Sequence, residues 1–368
     1  MKKLQKILAI ILVIVISISS LAVTSFAATG SSKDRYSVLV LDVSGSMSGT
    51  PVAELKEGAT AFCEQILNNN RNNNKIAIVT FASSAYLKCD FTSDLDTLTS
   101  TINSLSASGG TDLAGGLSKA KQSLDAVEGD VIKNMVVMCD GEPNSTSAAY
   151  NVIKSIPLHW NVYGLYYCPY GAYSSAATVM KNVGRNGYYE VTDGSALAFS
   201  FVDNGTTITT ESVNNVVVRV ACPVDVAVTL NGVTLDKNNP KTTFGELNFE
   251  GEENEIKVLT LAYRDDYVID ITGTGEGTMK YDIAYYCNGD ELYNLSYPEV
   301  EITPETKITT GVNVDESSMT LDVDGDGDGE VDEQVSPEAS ATSFWYQIQL
   351  FFENLIYKIK EFFASLLG

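Results

Sequence analysis

Two hydrophobic patterns divide the chain. Between Asp34 and about residue 205, short apolar runs alternate with segments whose apolar residues recur every three or four positions. The runs predict buried strands and the periodic segments predict amphipathic helices. Because strands that alternate with helices form βαβ units, we expect residues 34–205 to be an α/β domain with a doubly wound, mostly parallel sheet. Its predicted strands are Tyr36–Asp42, Lys75–Phe81, Tyr86–Cys89, Met135–Asp140, Trp160–Tyr166 and Gly187–Val191.

The helical period disappears beyond Thr206. Runs rich in valine, tyrosine and threonine follow, and turn signals such as Asn231-Gly232 and Asn288-Gly289 separate them. Short strands at this spacing predict an all-β sandwich over residues 210–310. The region resembles the immunoglobulin-like modules of bacterial surface proteins, and none of its residues signals chemistry. A spacer or stabilising role is therefore expected.

The two ends of the chain carry apolar segments of different kinds. Residues 1–27 have a basic start, an apolar core and small residues before a cleavage position after Ala27, which is the anatomy of a secretory signal peptide. An uncleaved membrane anchor is the alternative. Residues 343–368 predict an amphipathic helix with a wide aromatic and aliphatic stripe. This helix would lie on a membrane surface, on a partner helix or on its own protein.

An acidic, glycine-rich segment, residues 321–333, precedes that helix. Aspartates at alternate positions before a glycine resemble an EF-hand calcium loop, in which alternating side chains point to one centre. In one register Asp322 comes first and Glu333 is the twelfth ligand, whereas a register starting at Asp324 leaves Val335 at the acidic position. A solvated acidic linker is the alternative. The candidate calcium ligands are Asp322, Asp324, Asp326, Asp328 and Glu333.

Composition narrows the function classes. The formal net charge is −23, and such a surface repels nucleic acid phosphates and anionic lipids, so a nucleic-acid role is disfavoured. His159 is the sole histidine, and neither a nucleophile elbow nor a Walker loop is present. Because the chain has one histidine, zinc sites that need several imidazole ligands are also excluded. Of the six cysteines, Cys63 and Cys139 lie on apolar faces and predict buried thiols.

Candidate chemistry follows the ends of the predicted strands. The first strand ends in Asp42, and Ser44 and Ser46 come directly after it. Ser108–Asp112 places Thr111 before a predicted helix, and the run Met135–Glu142 ends its strand at Asp140. Because carboxyl ends of parallel strands share one edge of a sheet, these hard oxygen ligands can meet there around a small cation. For the serines alone, capping of the following helix is the alternative.

The order Asp-x-Ser-x-Ser, then Thr, then Asp resembles the metal-ion-dependent adhesion site of von Willebrand factor type A (vWA) domains. The resemblance covers residues 34–204 and every position of the motif is present. It implies an Mg²⁺ ion, or Mn²⁺ or Ca²⁺, held by Asp42, Ser44, Ser46, Thr111 and Asp140. It also implies that a carboxylate of a protein partner completes the metal shell.

These observations predict an exported, secreted or cell-surface bacterial protein that binds a protein partner in adhesion or assembly and is not an enzyme. Two alternatives remain open. One is a secreted hydrolase that uses the metal or a carboxylate pair, since carboxylates are plentiful. The other is a structural scaffold in which the metal only stabilises the fold, and Asp112 beside Thr111 would favour it by adding a third carboxylate.

Overall fold

The computed structural model describes residues 33–68, 73–194, 196–197, 200–201, 213–221, 223–264, 266–312 and 319–338. The first part of this range alternates strands with helices, as the hydrophobic pattern predicts. The strands are β1 (Arg35–Asp42), β2 (Asn74–Phe81), β3 (Ala85–Thr92), β4 (Ile132–Cys139), β5 (Asn161–Tyr167) and β6 (Gly187–Val191). The helices are α1 (Thr50–Leu67), α2 (Leu95–Asn103), α3 (Leu113–Asp125), α4 (Thr146–Ser155) and α5 (Ser174–Val183), and a 3-10 turn covers Gly45–Met47.

These six strands form one sheet in the order β3-β2-β1-β4-β5-β6. All neighbours are parallel except β2 and β3, which form an antiparallel pair. The chain order reverses beside β1, so the crevice between the carboxyl ends of β1 and β4 is the switch point of the sheet. The prediction of an α/β fold with a mostly parallel sheet is confirmed for this part of the chain.

Helices cover both faces of this sheet, which explains why its strands read as continuous apolar runs. On one face, the core contains side chains of α3, α4 and α5, among them Leu117 and Met180. On the other face, α1 and α2 contribute side chains such as Phe62 and Ile102. Cys63 and Cys139 are buried free thiols within these cores, as their apolar surroundings predict.

Two further sheets are entirely antiparallel. Their strands are β7 (Asn215–Ala221), β8 (Val224–Leu230), β9 (Val233–Leu235), β10 (Gly245–Glu250), β11 (Ile256–Ala262), β12 (Val268–Gly273), β13 (Gly277–Cys287), β14 (Asp290–Ser296), β15 (Val300–Ile302), β16 (Lys307–Thr310), β17 (Leu321–Asp324) and β18 (Glu333–Val335). One sheet has the order β10-β11-β7-β13-β14, with β15 paired to β13, and the other has the order β18-β17-β16-β12-β8-β9. One hydrophobic cluster draws residues from both sheets, so they pack on a common core. Asn231 and Asn288 adopt positive φ before a glycine, as the predicted hairpin turns require.

All-antiparallel sheets were expected for residues 210–310, and the immunoglobulin-like topology stays a prediction. The acidic segment that the sequence set apart is the turn between β17 and β18, two strands of the second antiparallel sheet. The predicted signal peptide, residues 1–27, and the predicted amphipathic helix, residues 343–368, lie outside the described residues. Within the described part of the chain, no helix has the length and apolar character needed to cross a bilayer.

Amide hydrogen bonds join the antiparallel region to the α/β domain. The Asn214 amide donates to the His159 carbonyl at 3.1 Å, and the Asn186 amide donates to the Asn214 carbonyl at 2.9 Å. Thr243 donates to the Asn182 side chain at 3.1 Å. His159 and Asn186 precede β5 and β6, so this junction lies at the amino edge of the parallel sheet.

Candidate metal-binding site

The Asp-x-Ser-x-Ser segment leaves β1 as a tight turn. Asp42 ends the strand and is fully buried, Ser44 is buried, and Ser46 is exposed within the short 3-10 turn. The Ser44 amide donates to Asp42 Oδ1 at 2.8 Å. This contact holds one carboxylate oxygen against the backbone of the turn, so the second oxygen faces the end of β4.

Asp140 reaches the same place from the neighbouring strand. It directly follows β4 and is half-buried, and its Oδ1 accepts a hydrogen bond from Ser46 Oγ at 2.9 Å. The Ser44 and Ser46 hydroxyls are 3.0 Å apart. The structure therefore brings together four of the five predicted ligands, because β1 and β4 are hydrogen-bonded neighbours in the sheet.

The Ser108–Asp112 loop lies against this turn through its backbone. The Gly45 amide donates to the Gly109 carbonyl at 2.9 Å, and the Ser108 amide donates to the Val43 carbonyl at 2.8 Å. Gly109 has φ +88, and a Cβ there would lie 2.6 Å from Ser83 Oγ, so this close approach requires glycine. Thr111 thus lies on a loop fixed to the site, although its hydroxyl forms no hydrogen bond with the other four predicted ligands in the described structure.

Two neighbours of the site were not foreseen. Cys139 Sγ donates to Asp42 Oδ2 at 3.1 Å, so both oxygens of the buried carboxylate are held from the protein side. Asn144 Oδ1 accepts from the Thr111 amide at 3.2 Å, and the Asn144 amide donates to the Thr111 carbonyl at 2.9 Å. The sequence predicts that Cys139 is buried, but not that it contacts Asp42. Asn144 lies in a loop and bonds to backbone groups, so no hydrophobic periodicity in the sequence identifies it.

The electrostatics of the pair are unfavourable without a cation. Burial, together with the neighbouring Asp140 charge, raises the pKa of Asp42 to about 7. Burial also raises the pKa of Asp140, against the lowering effect of its hydrogen bond from Ser46. Within the described residues, neither carboxylate forms an ion pair with a lysine or arginine. Among the described residues, therefore, no positive side chain pairs with the buried Asp42 carboxylate or with the half-buried Asp140 carboxylate.

Asp112, the third acidic residue considered for this site, has another role. Its Oδ1 accepts the Gly115 amide at 3.0 Å and caps the amino terminus of α3. A carboxylate at that position satisfies an amide that helix geometry leaves without a partner. In the described structure Asp112 therefore caps a helix at the border of the site.

The acidic turn between β17 and β18 gathers a different set than the sequence suggested. Carboxylate oxygens of Asp324, Asp326 and Asp332 lie within 4.8 Å of one another. Asp322, Asp328 and Glu333 are outside this group: Asp322 lies on β17 and accepts from Thr320 Oγ1 at 3.0 Å and from Gln334 Nε2 at 2.9 Å. Asp332 is not among the predicted ligands, because that set follows the register starting at Asp322, in which Asp332 falls at the eleventh position and is not a ligand.

Comparison with known proteins identifies the α/β part. Residues 37–142 match the family model of the von Willebrand factor type A domain. This match spans nearly all of β1, all of β4 and the five predicted ligands of the site at the carboxyl edge, and the topology agrees with it. The chain therefore contains a vWA domain. A search of curated proteins found no match.

Among solved structures, a protein titled von Willebrand factor type A from Catenulispora acidiphila is similar, with 14% identity and a TM-score of 0.56. The likeness covers 74% of this chain and 66% of that one. The pilus adhesin SpaC from Lactobacillus rhamnosus GG shares 13% identity over 84% of this chain and 44% of its own, with a TM-score of 0.43. The PilB minor pilin from Streptococcus sanguinis shares 17% identity over 48% and 62%, with a TM-score of 0.40. At these identities, the first likeness shows the fold alone.

Proposed function

We propose that the vWA domain binds a protein partner through a divalent cation at the carboxyl edge of its sheet. The ligands would be Asp42, Ser44, Ser46, Thr111 and Asp140. One observation carries the proposal: two carboxylates from adjacent strands converge, with two serine hydroxyls between them, and no lysine or arginine of the described residues pairs with either. A divalent cation would supply the positive charge that offsets the two carboxylates.

The donor set fits a hard cation. All five side chains offer oxygen, which Mg²⁺, Mn²⁺ and Ca²⁺ prefer, and the site contains no imidazole. Cys139 contributes a hydrogen-bond donor to Asp42 from the buried side. The exposed position of Ser46 leaves one side of the site open towards solvent, where a carboxylate of a partner could reach the ion.

In this proposal the five ligands have different roles. Ser44 and Ser46 bind the ion directly, and Asp42, Asp140 and Thr111 bind it directly or through water. A bound divalent cation supplies the positive charge that attracts a partner's carboxylate. The protein keeps Asp42 oriented through the Ser44 amide and the Cys139 thiol, so the ligands are positioned before the ion arrives.

Display panning tests this function. A peptide library with aspartate fixed at its centre and random flanks is panned on the full chain in MgCl₂ and eluted with EDTA. A second library has asparagine at the fixed position. We expect magnesium-dependent enrichment from the aspartate library alone, because the asparagine amide has no charge to offer the ion. Asp140→Ala and Ser44→Ala should abolish both enrichment and the magnesium heat in calorimetry.

Asp125→Ala is the matched control, since Asp125 is an exposed acidic residue paired with Lys121 on α3, away from the strand ends. It should retain magnesium binding and peptide enrichment. Equal enrichment from both libraries, or enrichment that survives EDTA, contradicts the proposal. Magnesium binding that stabilises the domain without any enrichment favours the structural-ion alternative.

A second ion belongs to the proposal at the β17–β18 turn. Asp324 is buried, whereas Asp326 and Asp332 are exposed, and their oxygens are close enough to share one Ca²⁺. The ion there would fasten the turn of the hairpin. This would be a stabilising role, consistent with the spacer role expected for the antiparallel region. The protein would act outside the cell, as its amino-terminal sequence predicts.

A further inference from the structure

Exposed aromatic side chains border the candidate metal site. Four large hydrophobic residues are exposed in the described α/β domain: Tyr86 (58%), Leu87 (40%), Tyr170 (85%) and Tyr173 (67%). Tyr86 and Leu87 follow the tight turn after β2, and Tyr170 and Tyr173 follow β5. Since β3 is antiparallel to β2, both groups lie at the carboxyl edge of the sheet, on either side of β1 and β4.

Hydrogen bonds fix both groups to the site. On one side, Ser83 Oγ accepts from the Gly110 amide at 2.9 Å, next to Thr111. On the other side, the Tyr173 amide donates to Tyr166 Oη at 2.9 Å, and Ser175 is hydrogen-bonded to Glu142, two residues beyond Asp140. The loops that carry the aromatic residues are thus hydrogen-bonded to the segments that carry Thr111 and Asp140.

Folding does not account for Tyr170 and Tyr173. A tyrosine that is mostly exposed buries little area, and large apolar side chains kept in solvent mark interaction sites when they cluster. Gly171, between them, has φ +104, so the turn that presents them depends on a glycine. Tyr86 differs slightly, because Lys88 Nζ lies 5.2 Å from its ring centroid.

We propose that Tyr170, Tyr173 and Tyr86 form an aromatic rim that recognises an extended protein segment with one carboxylate and apolar flanking residues, proline or aliphatic. This rests on the proposed function, because the carboxylate is placed at the ion. Glu142, Asp112 and the net charge of −23 repel a second acidic residue in the segment. The class of partner is therefore acidic at one position and uncharged or basic around it.

Sheet geometry sets the spacing. Adjacent strands are about 4.8 Å apart and an extended residue spans about 3.3 Å. The β5 loop is one strand from β4, so its tyrosines would contact residues one or two positions from the carboxylate. Tyr86 on β3 lies two strands from β1 and would contact a residue about three positions away on the other side.

The polar side chains beside the rim favour a peptide over a sugar. Ser83, Asn144 and Ser175 are already hydrogen-bonded within the protein. Sugar hydroxyls need free polar partners, because a buried hydroxyl without one is costly. Apolar peptide side chains need only the aromatic faces, and proline in addition has no backbone N–H that would need a partner.

The experiment reads the flanks of peptides enriched from the aspartate library on the full chain in MgCl₂. We expect proline, leucine, isoleucine and valine one to four positions from the aspartate, and depletion of acidic residues. Affinity of an enriched peptide should fall about tenfold in Tyr170→Ser/Tyr173→Ser, as for loss of an interface anchor. Phe249→Ser, at an exposed aromatic of β10, should bind unchanged.

Each outcome has one meaning. Magnesium-dependent enrichment with random or acidic flanks, or equal affinity of the tyrosine variant, overturns the rim and leaves the proposed function standing. Absence of magnesium-dependent enrichment overturns both. Magnesium-dependent, tyrosine-dependent binding of polygalacturonate but of no peptide makes the partner an acidic glycan and overturns the proposal. Magnesium heat equal to that of the unsubstituted chain confirms that the tyrosine variant keeps a folded site.

Discussion

Replacing Asp42 by asparagine should stabilise the metal-free vWA domain while removing its response to magnesium. Asp42 is fully buried and faces Asp140 without a basic partner among the described residues. Asparagine has nearly the same shape and can still accept the Ser44 amide. The substitution therefore removes a buried charge with little change in packing, and it also removes a proposed ligand.

The pKa of Asp42 gives the magnitude. The pKa rises from 3.8 to about 7 on folding. Because each tenfold change in the proton-binding constant corresponds to about 1.4 kcal/mol, ionising Asp42 costs about 4 kcal/mol more in the folded domain than in the unfolded chain. The folded domain binds a proton more readily than the unfolded chain between about pH 4 and about pH 7, so metal-free stability falls as the pH rises through this window. Losing the acceptor of the Cys139 thiol costs about 1 kcal/mol. The net gain above pH 7 is about 2–3 kcal/mol.

Urea unfolding at pH 8 measures this gain. The chain has two tryptophans, so a Trp345→Phe background leaves buried Trp160 as a reporter of the α/β domain. In EDTA, Asp42→Asn should unfold at higher urea than the parent, and MgCl₂ should raise the parent's midpoint alone. Asp125→Asn, a surface control, should match the parent in EDTA. An Asp42→Asn domain that is no more stable than the parent in EDTA refutes the reasoning.

Three further substitutions test separate parts of the structure. Gly164→Ala should lower the free energy of unfolding of the α/β domain by about 1–3 kcal/mol, because the added Cβ would lie 2.7 Å from the Met180 carbonyl oxygen. Urea titration checks it against Gly141→Ala, whose Cβ meets nothing within 4 Å; equal midpoints contradict it. Asp324→Asn should abolish calcium heat in calorimetry and Asp322→Asn should retain it, so equal loss in both argues against the Asp324 group. Asn214→Ala should remove hydrogen bonds at the junction of the two regions and weaken it by about 1–3 kcal/mol, so the calorimetric unfolding transitions of the two regions should separate. Asn248→Ala, at an exposed position of β10, should leave these transitions unchanged.

The hydrophobic pattern was sufficient to predict the α/β domain, because strands buried on both faces and helices buried on one differ in period. The strand predicted at Met135–Asp140 runs from Ile132 to Cys139. Boundaries shifted where polar residues such as Asn134 are buried by hydrogen bonds. Hydropathy does not encode such bonds.

The sequence could predict the part of the candidate site that depends only on the order of the strands in the sheet. Asp42 and Asp140 end adjacent strands, so their convergence follows from the fold. The hydrogen bond from Cys139 to Asp42 was not predictable, because it depends on side-chain rotamers and on the exact ends of both strands. The place of Asp332 beside Asp324 depends on the pairing of β17 with β18, and short paired strands leave no periodic signal in the sequence.

The junction between the regions decides how a partner could approach. The hydrogen bonds of this junction are made by the side-chain amides of Asn214, Asn186 and Asn182. Such residues follow no hydrophobic period, so the sequence predicted two units but not how they are arranged. Because β5 has seven residues at about 3.3 Å each, the junction and the candidate metal site lie about 20 Å apart, at opposite edges of the parallel sheet. The described chain enters the α/β domain at β1 and reaches β7 at this same amino edge. Among the described residues, the contacts between the two regions therefore lie at the edge opposite the candidate metal site, which is the geometry that a site for an external protein partner requires.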